Sequence, residues 1–287
     1  MRMNLIQISR PGTSFFDNKN RVYLVLTWKQ FLKRIFKLFK ALLKKMNPTL
    51  KEIKDMEFTR IDYNTESEDY FEIIEGKIPI LLSAPHGAKH FRNGDFKEED
   101  EYTSSIAIEL GELTGAYVIF VKNKTREDSN YLISTEYKDA VKKLVDEKGI
   151  KFIADLHGAD KDRDYKVNVG IMDERDMTKC SCPTPKPIIE ECLRGFQQPL
   201  FNLDSFTASF PGTVTYFAKN ICGIEAAQFE INAKYRIVER KPDSSKAIEG
   251  VDSDFKAEEK DVLELLNRLK EMILKIDKKI ELDKKDC

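Results

Sequence analysis

The sequence predicts an α/β fold, a largely parallel central sheet flanked by helices, preceded by a basic amphipathic helix. Three observations carry this. From Glu57 onward, short apolar runs alternate with segments of helical period, the order that builds a parallel sheet with helices on its faces. Ile78–Ala84 and Phe152–Leu156 are nearly continuous apolar runs, as strands covered on both faces must be. Before residue 50 the texture is different, with lysines threaded through an apolar stripe. The sequence therefore divides into an extension, 1–50, and a catalytic-type domain, 51–287.

In the extension, Trp28, Phe31, Leu32, Ile35, Phe36, Phe39, Leu42, Leu43 and Met46 recur at spacings of three and four. Lysines and an arginine fill the positions between them, and Asn47-Pro48 ends the run. Charge in every turn excludes a transmembrane span, and the broken apolar run does not make a signal peptide. Residues 28–46 are expected to contact an anionic membrane surface peripherally. Two other readings stand beside this one: a helix docked on the domain, and an upstream extension ahead of a start at Met46 or Met56.

In the domain, Glu57–Tyr63 and Tyr70–Ile74 read as short strands. Ile78–Ala84, between Gly76 and Pro85, is a buried strand. Glu101–Leu113 is a helix with Asp100 at its positive end. Ala116–Val121 is the next strand, Glu136–Glu147 a helix and Phe152–Leu156 a strand. Lys166–Met172 is extended, Pro187–Phe196 helical, Glu225–Ile231 a strand and Asp254–Lys279 a long amphipathic helix. No repeat or low-complexity linker follows residue 50.

The composition, 41% hydrophobic and 34% charged, is that of a globular chain, and its net charge of -1 argues against nucleic-acid binding. Five cysteines, an odd number without a paired framework, point to a reducing, cytoplasmic setting. Cys180 and Cys182 lack the second pair of a structural zinc site.

Only three histidines occur. His86 follows one predicted central strand and His157 another, and each precedes a glycine that lets the backbone turn sharply. Ligands of open α/β sheets bind beyond the carboxyl ends of the strands. Two imidazoles arriving there from separate strands suit a first-row metal. A catalytic zinc takes a third protein ligand, and Glu98, Glu99, Asp100 and Glu101 compete for that place. Asp100 is the first choice and Glu101 the alternative.

Asp155, two residues before His157, points to the same side of its strand and is placed to orient that ring. His90 is expected at the mouth of the site. Glu230, at the end of a strand, is the expected general base. Arg126, in a polar loop with Asn130, and Arg236 are the expected carboxylate or oxyanion contacts.

Five short pieces in order, Ser83-Ala84-Pro85-His86-Gly87, Asp100-Glu101-Tyr102-Thr103, Asp128-Ser129-Asn130, Asp155-Leu156-His157-Gly158 and Gln228-Phe229-Glu230-Ile231-Asn232, resemble the N-formylglutamate amidohydrolase family. That family is related to the zinc carboxypeptidases and to the desuccinylases of acylated amino acids. The resemblance implies a phosphorylase/hydrolase-like fold with a mixed sheet. It also implies one zinc held by His86, Asp100 and His157, with Glu230 as base in the hydrolysis of an N-acyl amino acid. Tyr131 follows Asn130 where the family often carries arginine, and Arg126 is displaced, so the substrate contacts differ. A carboxypeptidase-like peptidase and a non-catalytic binding module on the same fold are the alternatives.

Overall fold

The structure, a computed structural model, describes Phe15–Phe16, Val22–Tyr23, and residues 48–172, 185–196, 201–202 and 206–283. The chain divides into two units, Met1–Asn47 and Pro48–Cys287. In the first, β1 (Phe15–Phe16) pairs antiparallel with β2 (Val22–Tyr23). The expected helix over residues 28–46, with its membrane contact, lies outside the described residues, as do Cys180 and Cys182.

The second unit begins with a helix, α1 (Leu50–Arg60), where the sequence reading expected a strand at its end. The signal for it is a capping box. The Thr49 hydroxyl accepts from the Glu52 amide (3.3 Å) and donates to the Glu52 carboxylate (2.7 Å). Glu57, near the end of α1, is fully buried and accepts from the Tyr102 amide (2.8 Å) and from the hydroxyls of Tyr63 and Ser105.

Strands β3 (Asp62–Glu66), β4 (Phe71–Ile74), β5 (Ile78–Ala84), β6 (His90–Arg92) and β7 (Asp95–Lys97) follow. Then come α2 (Thr103–Thr114), β8 (Ala116–Val121), β9 (Asn123–Lys124), α3 (Glu136–Lys148), β10 (Phe152–Ala159), β11 (Val167–Gly170) and α4 (Lys186–Leu193). After α5 (Val214–Phe217), which runs on into a π-helical turn, come β12 (Glu225–Asn232), α6 (Ser245–Ile248) and α7 (Glu259–Asp283).

The central sheet has six strands in the order β11-β12-β10-β5-β8-β4. The inner four are parallel, and the edge strands β11 and β4 run antiparallel to their neighbours. The sheet is thus mixed and largely parallel. Helices cover it, as the near-complete burial of the inner strands requires. On α7, Val262, Leu265, Leu266, Leu269, Met272, Ile273 and Ile276 form one buried stripe at spacings of three and four, against α2, α4 and β5. No helix among the described residues is long and apolar enough to cross a membrane.

Three details position the site. β10 continues to Ala159, so His157 stands inside the strand rather than past its end. α2 starts at Thr103, later than expected, and Asp100 does not cap it. The residue before the helix, Tyr102, holds a left-handed backbone (φ 69°). Its amide is fixed by Glu57, and its hydroxyl donates to the Glu239 carbonyl (2.5 Å). That strained conformation persists because both ends of the residue are held.

Candidate metal centre and its cavity

Sheet register builds the site. His157 on β10 lies beside Glu230 on β12, and Asp155 lies beside Gln228 and, on the other side, Ser83. Alternate residues of a strand share a face, so these side chains project together. His86 follows β5 by two residues, and its carbonyl accepts from the Asp100 amide (2.7 Å), which draws the acidic segment against the strand ends. Gly87 lets α2 and β8 pack close to the segment after β5. A Cβ there would sit 1.8 Å from the Ser104 hydroxyl oxygen and 2.6 Å from the Val121 carbonyl oxygen.

Asp100 Oδ2 lies 3.5 Å from His86 Nδ1 and 3.4 Å from His157 Nδ1. Each ring is held from its far side. His86 Nε2 is 2.8 Å from Asp128 Oδ1, and His157 Nε2 is 3.1 Å from Asp155 Oδ2. Asp155 also accepts from the Ser83 hydroxyl (2.8 Å), and Asp128 Oδ1 from the Asn130 amide (3.0 Å). A carboxylate on Nε2 keeps the proton there and leaves Nδ1 as the lone-pair donor. The donor set, two imidazoles and one carboxylate converging with their far nitrogens tied, fits a divalent first-row ion.

The charges agree with this arrangement. Burial opposes a charge on His86, but Asp128 and Asp100 outweigh it and push the ring up to about 9. Burial likewise opposes a charge on His157, and Asp155 and Asp100 raise it well above the usual range. Burial acts against ionised Asp100, yet hydrogen bonds from both imidazoles hold its carboxyl far below the usual carboxylate range. The imidazoles and the carboxylate thus each favour their charged form through the opposite charge of the other.

A second trio, His86, His90 and Asp128, also brings donors within 4.8 Å of one another. Its geometry suits packing instead. The rings of His86 and His90 lie parallel (4°) with centroids 3.8 Å apart, so their in-plane lone pairs do not converge on one ion. Burial and the neighbouring charge of His86 push His90 down to about 3, leaving a neutral ring stacked beneath His86.

The trio of His86, Asp100 and His157 opens on a cavity of about 300 Å³. Glu230 is on its wall, 5% exposed, with burial raising its carboxyl above the usual range. Gln228 Nε2 donates to Glu230 Oε1 (2.7 Å). Asn130 is also on the wall and accepts from the Val214 amide (2.8 Å).

Four expected site residues stand elsewhere. His90, expected at the mouth, is 2% exposed and stacked against His86, off the cavity wall, because the β6–β7 hairpin folds it back under that ring. Arg126 is largely exposed and pairs with Glu66 at 2.5 Å, off the cavity wall, because its loop turns it toward β3. Glu101 faces away from the imidazoles and pairs with Arg240 (3.0 Å), so Asp100 is the carboxylate that reaches both rings. Arg236 is buried behind the site. It donates to the carbonyls of Glu101 (2.6 Å), Ile231 (3.0 Å) and Ala159 (3.3 Å), and it lines a separate cavity. Gly158 leaves room for it, since a Cβ there would lie 2.6 Å from its Nη2. The glycine serves this approach rather than a turn.

Two residues on or behind the wall were not assigned from sequence. Asp128, fully buried, belongs to one of the five resembling pieces, but no role was read for it. Arg92 stands just before Asn93-Gly94, a two-residue hairpin signal. Both residues of that turn have positive φ (55° and 87°), and the hairpin β6–β7 brings Arg92 to the cavity.

No family model matches the chain, and no curated protein matches it. Solved structures do. The chain is similar to N-formylglutamate amidohydrolase from Ralstonia eutropha, with 13% identity and a TM-score of 0.51, over 75% of this chain and 99% of that one. It is similar to a gene product from Agrobacterium tumefaciens at 11% identity and a TM-score of 0.50, over 74% and 96% of the two chains. At these identities the likeness establishes that this chain and the Ralstonia amidohydrolase share a fold across nearly the whole of that enzyme.

Proposed function

We propose that this chain is a metal-dependent amidohydrolase that cleaves an N-acyl amino acid or a related amide. The observation that carries the reading is the convergence of His86 Nδ1, His157 Nδ1 and Asp100 Oδ2 beside a buried Glu230 on one cavity wall. Zinc bound to those three donors would supply the Lewis acidity that polarises an amide carbonyl and activates water. Asp128 and Asp155 hold the imidazoles in the ligating tautomer. Glu230 Oε1 is engaged by Gln228, which leaves Oε2 to take a proton from the attacking water and return it to the departing nitrogen. Burial keeps the pKa of Glu230 above its ordinary value, so it holds that proton between the two transfers.

The test combines metal analysis with turnover. Wild-type protein is expected to carry about one zinc per chain and a His86→Ala/His157→Ala variant almost none. Glu230→Gln should keep the zinc and lose about 10²- to 10⁴-fold in kcat on an amide panel. A wild type that refuses added zinc, or a Glu230→Gln variant with unchanged turnover, would overturn the reading.

A further inference from the structure

Beyond the candidate donors, the cavity wall carries further chemistry. Arg92 is the single arginine or lysine among the described residues of the cavity. Its Nε is 3.3 Å from Asp128 Oδ2, and its guanidinium lies 5.5 Å from the centre of the Tyr131 ring. Held from two sides, the guanidinium is fixed in place, with its two terminal nitrogens as a planar fork for a carboxylate.

Gln228 supplies the second feature. Its Nε2 is used by Glu230, while its Oε1 is buried and has no hydrogen-bond partner. A buried acceptor left unmade on a cavity wall is costly unless an arriving N–H satisfies it. The third feature is apolar. Tyr131 stacks on Phe210 (5.4 Å between centroids, 24°), and Phe210 is 50% exposed at the rim.

We infer that this cavity selects N-acyl amino acids bearing a sizeable apolar or aromatic group, with the carboxylate on Arg92, the amide N–H on Gln228 Oε1 and the apolar group on the Tyr131–Phe210 stack. This rests on the amidohydrolase reading and narrows its substrate class. One cationic side chain receives one carboxylate, so an acidic amino acid would leave its second carboxylate without a cationic partner beside Phe206 and Phe210. The apolar group has two sources, the amino-acid side chain or the acyl chain.

The experiment is calorimetric titration of zinc-loaded full-length Glu230→Gln protein, in which turnover does not obscure binding. The ligands are N-acetylphenylalanine, N-octanoylglycine, N-formylglutamate and the uncharged N-acetylphenylalaninamide. N-acetylphenylalanine or N-octanoylglycine should bind at least tenfold tighter than N-formylglutamate, and whichever binds better identifies the source of the apolar group. Adding Arg92→Gln should weaken the acids by about 10- to 100-fold and leave the uncharged amide unchanged, with Arg92→Lys in between. Adding Phe210→Ser, at a half-exposed position, should weaken only the apolar ligands. Preference for N-formylglutamate, equal loss of acid and amide in Arg92→Gln, or no binding by any ligand would each overturn the inference. Failure of the amidohydrolase reading is distinct from these. It would show as wild-type protein without zinc or turnover, whatever its ligand preferences.

Discussion

Replacing Arg236 tests how the site is held together. Its guanidinium joins three segments through their carbonyls: Glu101, next to Asp100; Ala159, two residues past His157; and Ile231, next to Glu230. Arg236→Ala removes these bonds and strands three carbonyl oxygens in a buried region. A hydrogen bond from a charged donor contributes about 1.5–3 kcal/mol. Relief of the buried guanidinium charge offsets part of the sum, so the net loss expected is about 3–5 kcal/mol. At about 2–4 °C per kcal/mol for a body of this size, the melting temperature should fall by roughly 6–20 °C. Near-UV circular dichroism during thermal unfolding measures it, and zinc titration should show weaker uptake in the same variant.

A cycle with Gly158 makes the reasoning specific. Gly158→Ala places a methyl group 2.6–2.9 Å from the guanidinium and should destabilise the wild type. In the Arg236→Ala background the obstruction is gone and the same change should cost almost nothing, a coupling above about 1 kcal/mol. Additive effects, or a melting temperature within about 1 °C of wild type for Arg236→Ala, would refute the role given to Arg236.

Asp155→Asn keeps an acceptor for His157 but removes its charge, and zinc affinity should drop about 10- to 100-fold in competition with a chromophoric chelator. Metal uptake should release protons. Both imidazoles are raised in the metal-free protein, His86 to about 9 and His157 well above the usual range, so a metal displaces protons from both at pH 7, and affinity should rise with pH up to at least about 9. Titrations in buffers of different ionisation enthalpy count that release. Glu109, pushed up to about 7 by burial, with Glu52 and Glu112 adding to the effect, binds a proton more tightly folded than unfolded. Its contribution to stability therefore falls as pH rises from about 4.5 to 7. Glu109→Gln, which keeps the acceptor for the Thr49 amide, should stabilise the protein at pH 8 by about 1–2 kcal/mol in urea melts, after allowance for solvent.

Much of this architecture was legible in the sequence where a signal was local. Ile78–Ala84 and Ala116–Val121 have the bounds expected of them, because Gly76, Pro85 and Gly115 punctuate apolar runs. The pairing of Asp155 with His157 follows from strand alternation alone. The start of the domain was misread because α1 buries only Ile53 and Glu57, too little to show a helical stripe, while its Thr49–Glu52 box was passed over. Arg126 and Arg236 misled for a different reason. Which carbonyl or carboxylate a guanidinium meets depends on residues far away in the chain, and sequence spacing carries no record of that. Arg92 was recoverable, since Asn93-Gly94 announces a hairpin that delivers its neighbour to a fixed place.

The position of Arg236 also bears on the order in which the molecule is made. All three metal donors have been synthesised by residue 157, but the clamp behind them comes 79 residues later (236 minus 157). At about 5–20 residues per second, a nascent chain spends about 4–16 s with its donors complete and their support absent. During that interval β10 lacks its neighbour β12 as well, so its flank and the imidazole beside it stay open to solvent and to chaperones.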